Sequence, residues 1–177
     1  ELEALVKSIH AEGYAARAYP ADARIEEEVV AMVEAIERDV GPIEVAVFNI
    51  GANVNFPLTE TTDRVFRKVW EMACFGGFLM GREAAKRMAP RGRGTILFTG
   101  ATASLRGREG FAAFAGAKHA LRALAQSMAR ELGPKGIHDA HPVIDGAIDT
   151  EFIRTNFPER YAAKDQGGIV NPEHIAD

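Results

Sequence analysis

The sequence predicts an α/β fold, a doubly wound parallel sheet of the Rossmann-like type. Apolar runs of strand length alternate with amphipathic helix patterns along the chain. Two of these runs, 43–52 and 94–103, are almost continuously apolar, as expected for strands that are buried on both faces. This alternation favours right-handed βαβ units, and we treat residues 1–177 as a single domain.

The first half of the chain contains two helix patterns and two strand patterns. Apolar residues repeat at helical spacing up to a stop at Gly13, which predicts a helix over 2–12. A short strand is predicted at 14–22. The next predicted helix, 24–40, has one apolar face and a Gly-Pro pair behind it. The buried strand 43–52 follows.

The second half continues the alternation with longer helices. The predicted helices are 63–88 and 111–132, the predicted strands 94–103 and 137–149. Asp139 and Pro142 conflict with a central strand in the last run, because proline lacks a ladder donor and a buried carboxylate is costly unless paired. We therefore expect this strand to be bulged or partly exposed, and we assign no function to Asp139.

Composition excludes several classes of protein. The 177 residues are 47% apolar and 26% charged, which is typical of a globular domain. A net charge of −4 makes nucleic acid an unexpected partner. No apolar run is long enough to span a membrane. The single cysteine, Cys74, is expected to be a small buried hydrophobe in a reducing, cytoplasmic environment. No metal site is predicted.

Ligands of parallel α/β sheets bind beyond the carboxyl ends of the strands. Here those ends read Asp22, "FNIGA" (48–52), "TGATAS" (99–104) and "DGAIDT" (145–150), with Lys118 on a helix between the last two. In this order they resemble the short-chain dehydrogenase/reductase family, over nearly the whole chain. The resemblance implies hydride transfer between NAD or NADP and a carbonyl or alcohol substrate.

The resemblance also implies a set of cofactor-binding residues. Asp22 would bind the adenine; it could also be the N-cap of the helix at 24–40, and the two roles are compatible. An amide would brace the sheet, a glycine would let backbone approach the cofactor, and a lysine would bind the nicotinamide ribose. A backbone group and a hydroxyl would hold the carboxamide, in a segment that could also be an ordinary glycine turn. The amide is that of Asn49, the glycine is Gly51 and the lysine is Lys118. The backbone group is that of Ile148, and the hydroxyl is that of Thr150.

Four side chains carry out proton transfer in the family, and three of them are replaced here. Phe114 stands at the position of the tyrosine, Ala101 at that of the serine and Ala73 at that of the asparagine. Lys118 alone remains. Because a general acid must neutralise the developing alkoxide, the usual proton chemistry is not expected. The alternative is a pseudoenzyme, which binds a dinucleotide or acts as an oligomer partner without catalysis.

Other side chains could replace the missing groups. Thr102 would reach the serine position after a slip of one residue. Tyr161 lies in the segment 151–170, which corresponds to the substrate lid of the family. His119 is about 100° around the helix from Lys118 and is not expected in the site. Lys118 itself could instead be a surface lysine that extends its amine into water.

The family pattern continues beyond this sequence. Its glycine-rich phosphate-binding turn and first two strands would precede the helix at 2–12, and its last strand would follow 171–177. We therefore expect an internal fragment of a domain of roughly 250 residues, in which the choice between NAD and NADP cannot be read. The family also implies a homo-oligomer through helices 63–88 and 111–132. Their small side chains suit close packing: Ala84, Ala85, Ala120, Ala123 and Ala125.

Overall fold

Three parallel strands form the centre of the fold in the computed structural model, which describes residues 2–176. Glu1 and Asp177, the ends of the predicted domain, lie outside the described residues. The central sheet has the order β1-β2-β4, and two-stranded parallel ladders join β3 to β5 and β6 to β7. The strands are β1 (Val45–Phe48), β2 (Gly94–Phe98), β3 (Gly100–Ala101), β4 (Ile137–Ala140), β5 (Val143–Ile144), β6 (Ala147–Ile148) and β7 (Ile169–Val170).

Eight α-helices are found within residues 2–176. Those of the first half are α1 (Leu2–Ala11), α2 (Glu26–Asp39), α3 (Asp63–Trp70) and α4 (Gly76–Met88); those of the second half are α5 (Ala112–Leu132), α6 (Glu151–Asn156), α7 (Pro158–Tyr161) and α8 (Glu173–Ala176). The fold is α/β with a parallel sheet, as predicted. None of these helices is both long and apolar enough to cross a membrane.

Helices α4 and α5 pack on one face of the central sheet, and α2 packs on α4. Phe48, Ile96 and Phe98 form the covered face and are at most 3% exposed. Burying an apolar side chain of this size contributes about 1.5–3 kcal/mol, so this layer is the main source of stability. Val45 and Val47 of β1 point to the other face and are more than half exposed. The prediction that this strand is buried on both faces is therefore wrong.

The long helix predicted at 63–88 is interrupted by one wide turn. Residues Glu71–Phe75 form a π-helical turn between α3 and α4, and the Gly76 N–H donates to the Glu71 carbonyl five residues earlier. Thr62 caps the start of α3, as predicted, by accepting a hydrogen bond from the Val65 N–H. Such turns hold one extra residue and often occur at functional sites. Ala73, at the position of the family's asparagine, lies in the middle of this turn.

The strand predicted at 14–22 is wrong, because the segment has irregular backbone. A strand needs a hydrogen-bonded neighbour, and none of the described strands pairs with this segment. It instead lies near α2, where the Arg17 guanidinium donates to the Asp39 carbonyl over 2.7 Å. Asp22 therefore sits in a loop and not at the end of a strand.

The other predicted strands are shorter than expected. The run 94–103 divides into β2, β3 and a 3₁₀ turn at Thr102–Ser104, while 137–149 divides into β4, β5 and β6. Pro142 stands at the first break of the latter run. It has no N–H to donate, but its carbonyl accepts a hydrogen bond from the Gly100 N–H over 2.8 Å. The expected disruption of this strand is confirmed.

The small-residue faces suggested for oligomer packing are partly used inside the chain. Ala84 is 1% exposed and Ala125 is 3% exposed, and both belong to the core between the sheet, α4 and α5. They cannot line an interface with a second copy. Ala123, in contrast, is exposed on α5.

Candidate functional site

Lys118 is buried at the carboxyl end of the central sheet. Its side chain is 4% exposed, and its Nζ donates a hydrogen bond to the Thr99 carbonyl, just beyond β2, over 2.7 Å. It is therefore not a surface lysine. One helical turn earlier, Phe114 lies beside it, with 5.9 Å between the Nζ and the ring centroid. The two residues at the positions implied for the family's tyrosine and lysine are thus neighbours in the structure.

The three positions that the resemblance assigns to the missing side chains lie in or against one apolar cluster, and Phe114 of this cluster lies beside Lys118. Phe114, Ala73 and Cys74 belong to one buried apolar cluster, and Ala101 packs against its edge. The cluster brings α3, the π turn and α5 into contact. Cys74 is 7% exposed, and burial raises the pKa of its thiol, so it is a packed hydrophobe, as expected. The side chains at these three positions, Phe114, Ala101 and Ala73, have no proton to donate.

Few contacts in the structure stabilise the charged form of Lys118. Burial lowers the pKa of its ammonium, and no carboxylate forms an ion pair with it among residues 2–176. The Thr99 carbonyl and the face of the Phe114 ring are its two favourable contacts. An ammonium has three donors, and this one makes a single hydrogen bond within residues 2–176, so two donors have no partner there.

Asp22 lines an open cleft of about 500 Å³ together with Arg24, Ile50, Lys68 and Met72. Its carboxylate accepts the Arg24 backbone N–H and forms a two-oxygen pair with the Arg24 guanidinium. These hydrogen bonds lower the pKa of Asp22 to about 2. The alternative role of Asp22 as the N-cap of α2 is wrong. The N-cap of this helix is Ile25, and it makes no side-chain cap hydrogen bond.

The loop after β1 carries the Asn-x-Gly pair. Asn49 is exposed, and its amide finds no hydrogen-bond partner in the described part of the chain, so it does not brace the sheet here. Gly51 faces open space: a Cβ built on it would have no atom within 4 Å. The backbone is thus accessible at this point, as close approach of a ligand requires.

Ile148 and Thr150 follow the breaks in the last predicted strand run. Ile148 belongs to β6 and pairs with Val170 of β7. The Thr150 hydroxyl caps α6 by accepting a hydrogen bond from the Ile153 N–H over 3.3 Å. The hydroxyl is exposed and has a proton to donate, so capping does not prevent a further contact.

The two candidate replacement acids make other contacts. The Thr102 hydroxyl donates to the Asp145 carboxylate, so in this conformation it does not take the serine position. Tyr161 lies at the end of α7, within the segment 151–170. Its ring lies between the Arg154 guanidinium and the Lys164 ammonium, at 5.3 and 5.6 Å. His119 bonds to the Ala115 carbonyl of its own helix and is exposed, as expected.

A buried pair at the site escaped the sequence reasoning. Ser104 is fully buried, and its hydroxyl lies 3.3 Å from the Nε2 of His141, which follows β4. Burial lowers the pKa of His141, and the neighbouring Lys118 and Arg122 cations lower it further. The available signal was a histidine at the carboxyl end of a strand, the edge at which parallel sheets bind ligands.

Comparison with known proteins decides the family. The model of the short chain dehydrogenases matches residues 1–160, most of the chain. The chain belongs to the short-chain dehydrogenase family. A crystal structure of a short-chain dehydrogenase from Rhodopseudomonas palustris shares 52% identity with it and superposes with a TM-score of 0.78. That similarity covers 96% of this chain and 80% of the other.

Two further members of the family are similar over most of this chain. Gluconate 5-dehydrogenase from Gluconobacter oxydans is 29% identical over 165 residues, which cover 93% of this chain and 62% of that protein. A gluconate 5-dehydrogenase from Burkholderia cenocepacia, solved with NADP and tartrate, is 26% identical with a TM-score of 0.80; 85% of this chain and 55% of that one are covered. The chain thus spans less than two thirds of the length of the curated relatives.

Proposed function

We propose that this short-chain dehydrogenase binds NAD or NADP at the carboxyl ends of its parallel strands, without the family's usual proton transfer. One observation carries the proposal: the buried Lys118 ammonium is held by the Thr99 carbonyl, and within residues 2–176 its other two donors have no partner and no carboxylate pairs with it. A ribose with two hydroxyls is a ligand of matching chemistry.

The described residues fit a dinucleotide. Asp22 lines a cleft of about 500 Å³, Gly51 leaves its backbone open, and the exposed Thr150 hydroxyl can donate. In the proposal Asp22 holds the adenine, Lys118 the ribose, and the Ile148 backbone with Thr150 the carboxamide. The nicotinamide would supply or accept a hydride when bound. The comparison structure with NADP supports the cofactor class but leaves NAD and NADP equally open for this chain.

Lys118→Met is expected to weaken NADH binding by about 10- to 100-fold, because it removes charged hydrogen bonds that contribute about 1.5–3 kcal/mol. Isothermal titration or NADH fluorescence on the purified protein measures the change. Lys7→Met is the matched control, since Lys7 is exposed on α1 and should leave affinity unchanged. Equal affinity in both variants would remove Lys118 from the site. No binding of NADH or NADPH to the unmodified protein would contradict the proposal.

A second candidate is an active oxidoreductase with a different proton donor. Tyr161 favours it, because two cations, Arg154 and Lys164, lie over its ring, and in the family a lysine lies near the catalytic tyrosine. In this proposal the segment 151–170 is the substrate lid and Tyr161 acts from it. A screen would begin with hydroxy acids and their keto forms, since one relative acts on gluconate and another holds tartrate. Tyr161→Phe would then abolish turnover without changing NADH affinity.

We also propose that the protein forms a homo-oligomer in the cytoplasm. Along the outer side of α3 and α4, Trp70 stacks on Phe75 at 5.9 Å and Phe75 on Phe78 at 6.0 Å. Trp70 and Phe78 remain about 40% exposed, which suits a surface that packs on a second copy. Sedimentation of the purified protein measures the state, and Trp70→Glu should shift it to the monomer.

A further inference from the structure

A buried hydroxyl–imidazole pair lies behind the turn on which Lys118 docks. The Ser104 hydroxyl accepts a hydrogen bond from the Ala101 N–H over 3.1 Å and lies 3.3 Å from the His141 Nε2. Because the oxygen already accepts from the backbone, its own proton is free to be donated to a neutral imidazole nitrogen. The pair therefore connects the carboxyl end of β4 to the backbone of β3.

The turn between β2 and β3 is fixed on every side by hydrogen bonds. The Thr99 N–H donates to the Phe48 carbonyl, and the Gly100 N–H donates to the Pro142 carbonyl. The Ala101 N–H uses the Ser104 hydroxyl. The Thr99 carbonyl accepts from the Lys118 ammonium. All three N–H groups of this turn and the Thr99 carbonyl thus have a partner, and these hydrogen bonds hold the acceptor of Lys118 in place.

His141 also fills the space that a side chain at position 100 would need. A Cβ built on Gly100 would lie 2.8 Å from the His141 Nε2 and 2.8 Å from the Pro142 carbonyl oxygen. The imidazole therefore packs directly on the backbone of the turn. The charges of Lys118 and Arg122 on α5 also lower the pKa of His141. His141 thus packs on the turn and follows β4, the strand that packs on the helix carrying the lysine.

We propose that His141, acting through Ser104, is a positioning residue that holds the Thr99–Ala101 turn and so sets the position of the Lys118 ammonium. It touches neither cofactor nor substrate in this proposal, and it acts through one hydroxyl and one segment of backbone. The inference rests on the proposed dinucleotide site only for its consequence, since the geometry of Lys118 can be measured without a ligand.

The test compares His141→Leu, His141→Gln and Ser104→Ala in the purified protein. Leucine keeps the volume without a polar atom, whereas glutamine retains an amide that can bond to the Ser104 hydroxyl. The first readout is the ¹⁵Nζ resonance of Lys118 in lysine-labelled protein, assigned with Lys118→Met. The second is amide hydrogen exchange of residues 99–104. The third is NADH affinity. His119→Leu is the matched control, because that ring bonds only to its own helix.

We expect His141→Leu and Ser104→Ala to shift the Lys118 resonance, to speed exchange in the turn and to weaken NADH binding about tenfold, the cost of one hydrogen bond. The double variant should be no worse than either single one, and His141→Gln should restore most of the loss. A merely structural role would not give this rescue together with the Lys118 shift.

An unchanged Lys118 resonance in Ser104→Ala and His141→Leu would overturn the proposal. If His141→Leu fails to fold, Ser104→Ala and His141→Gln give the same decision. If the unmodified protein binds no NADH, the proposed function fails, while the resonance and the exchange rates still decide the role of His141.

Discussion

Phe114→Tyr combined with Ala101→Ser is expected to raise carbonyl-reducing turnover at least about 100-fold above the unmodified protein, the usual contribution of a positioned general acid. The Phe114 ring already lies 5.9 Å from the Lys118 Nζ, so the substitution places a phenol beside an ammonium. That cation favours phenolate and brings the tyrosine pKa toward the working pH. NADH oxidation with a panel of keto acids and ketones measures the result.

The control for this variant removes the lysine as well. Phe114→Tyr with Ala101→Ser and Lys118→Met should show no gain, because the phenol then has no neighbouring cation. Failure of the double variant to gain turnover while still binding NADH would show that the replaced side chains are not what limits the chemistry. Turnover of the unmodified protein above background would refute the non-catalytic interpretation and favour Tyr161.

Asp139→Val is expected to stabilise the protein by about 2 kcal/mol at pH 8. Both carboxylate oxygens are buried without a hydrogen-bond partner among residues 2–176, on the sheet face that α5 covers. Desolvation raises the pKa of Asp139 from 3.8 to about 7. Valine removes the buried polar group and has a higher strand propensity.

The effect of Asp139 should depend on pH with a defined sign. Between about pH 4 and 7 the folded carboxyl binds its proton more tightly than the unfolded one, so the contribution of Asp139 to stability is highest below pH 4 and is lost as the pH rises through 7. The slope within this range is at most about 1.4 kcal/mol per pH unit, the value for one bound proton.

Urea unfolding at pH 5 and pH 8, followed by circular dichroism, measures both quantities. The unmodified protein should lose more stability than Asp139→Val between these values. Asp165→Asn is the control, because Asp165 is exposed and should follow the unmodified protein. Parallel pH profiles for the unmodified protein and Asp139→Val would contradict the assignment of the shift to Asp139.

The parts of the fold that follow local rules could be predicted from the sequence. Helices with a clear apolar face were found, and the spacing from Phe114 to Lys118 placed both on one side of α5. Gly13, with a φ of +88°, ends the first helix as its position suggested. These features depend on a few neighbouring residues and on one period, so the chain encodes them directly.

The remaining parts depend on contacts between distant residues. The segment 14–22 has the composition of a strand but no partner to pair with among the described strands, and composition alone does not supply one. Ser104 and His141 are 37 residues apart, and only the parallel pairing of β3 with β5 brings them together. The π turn at 71–75 is equally hidden, since its apolar pattern is close to that of an ordinary helix.

That wide turn also makes the long helix adjustable in length. Ala73 and Cys74 are adjacent, yet both are buried, which an α-helix with a narrow buried stripe accommodates poorly. Removing one residue from Glu71–Phe75 would convert the turn to α-helix and leave α3 and α4 each intact. The change would be confined to the turn, where a different side chain would then face the site of Lys118. A single-residue insertion or deletion can therefore change the chemistry of this site, at a place where most helices would tolerate neither.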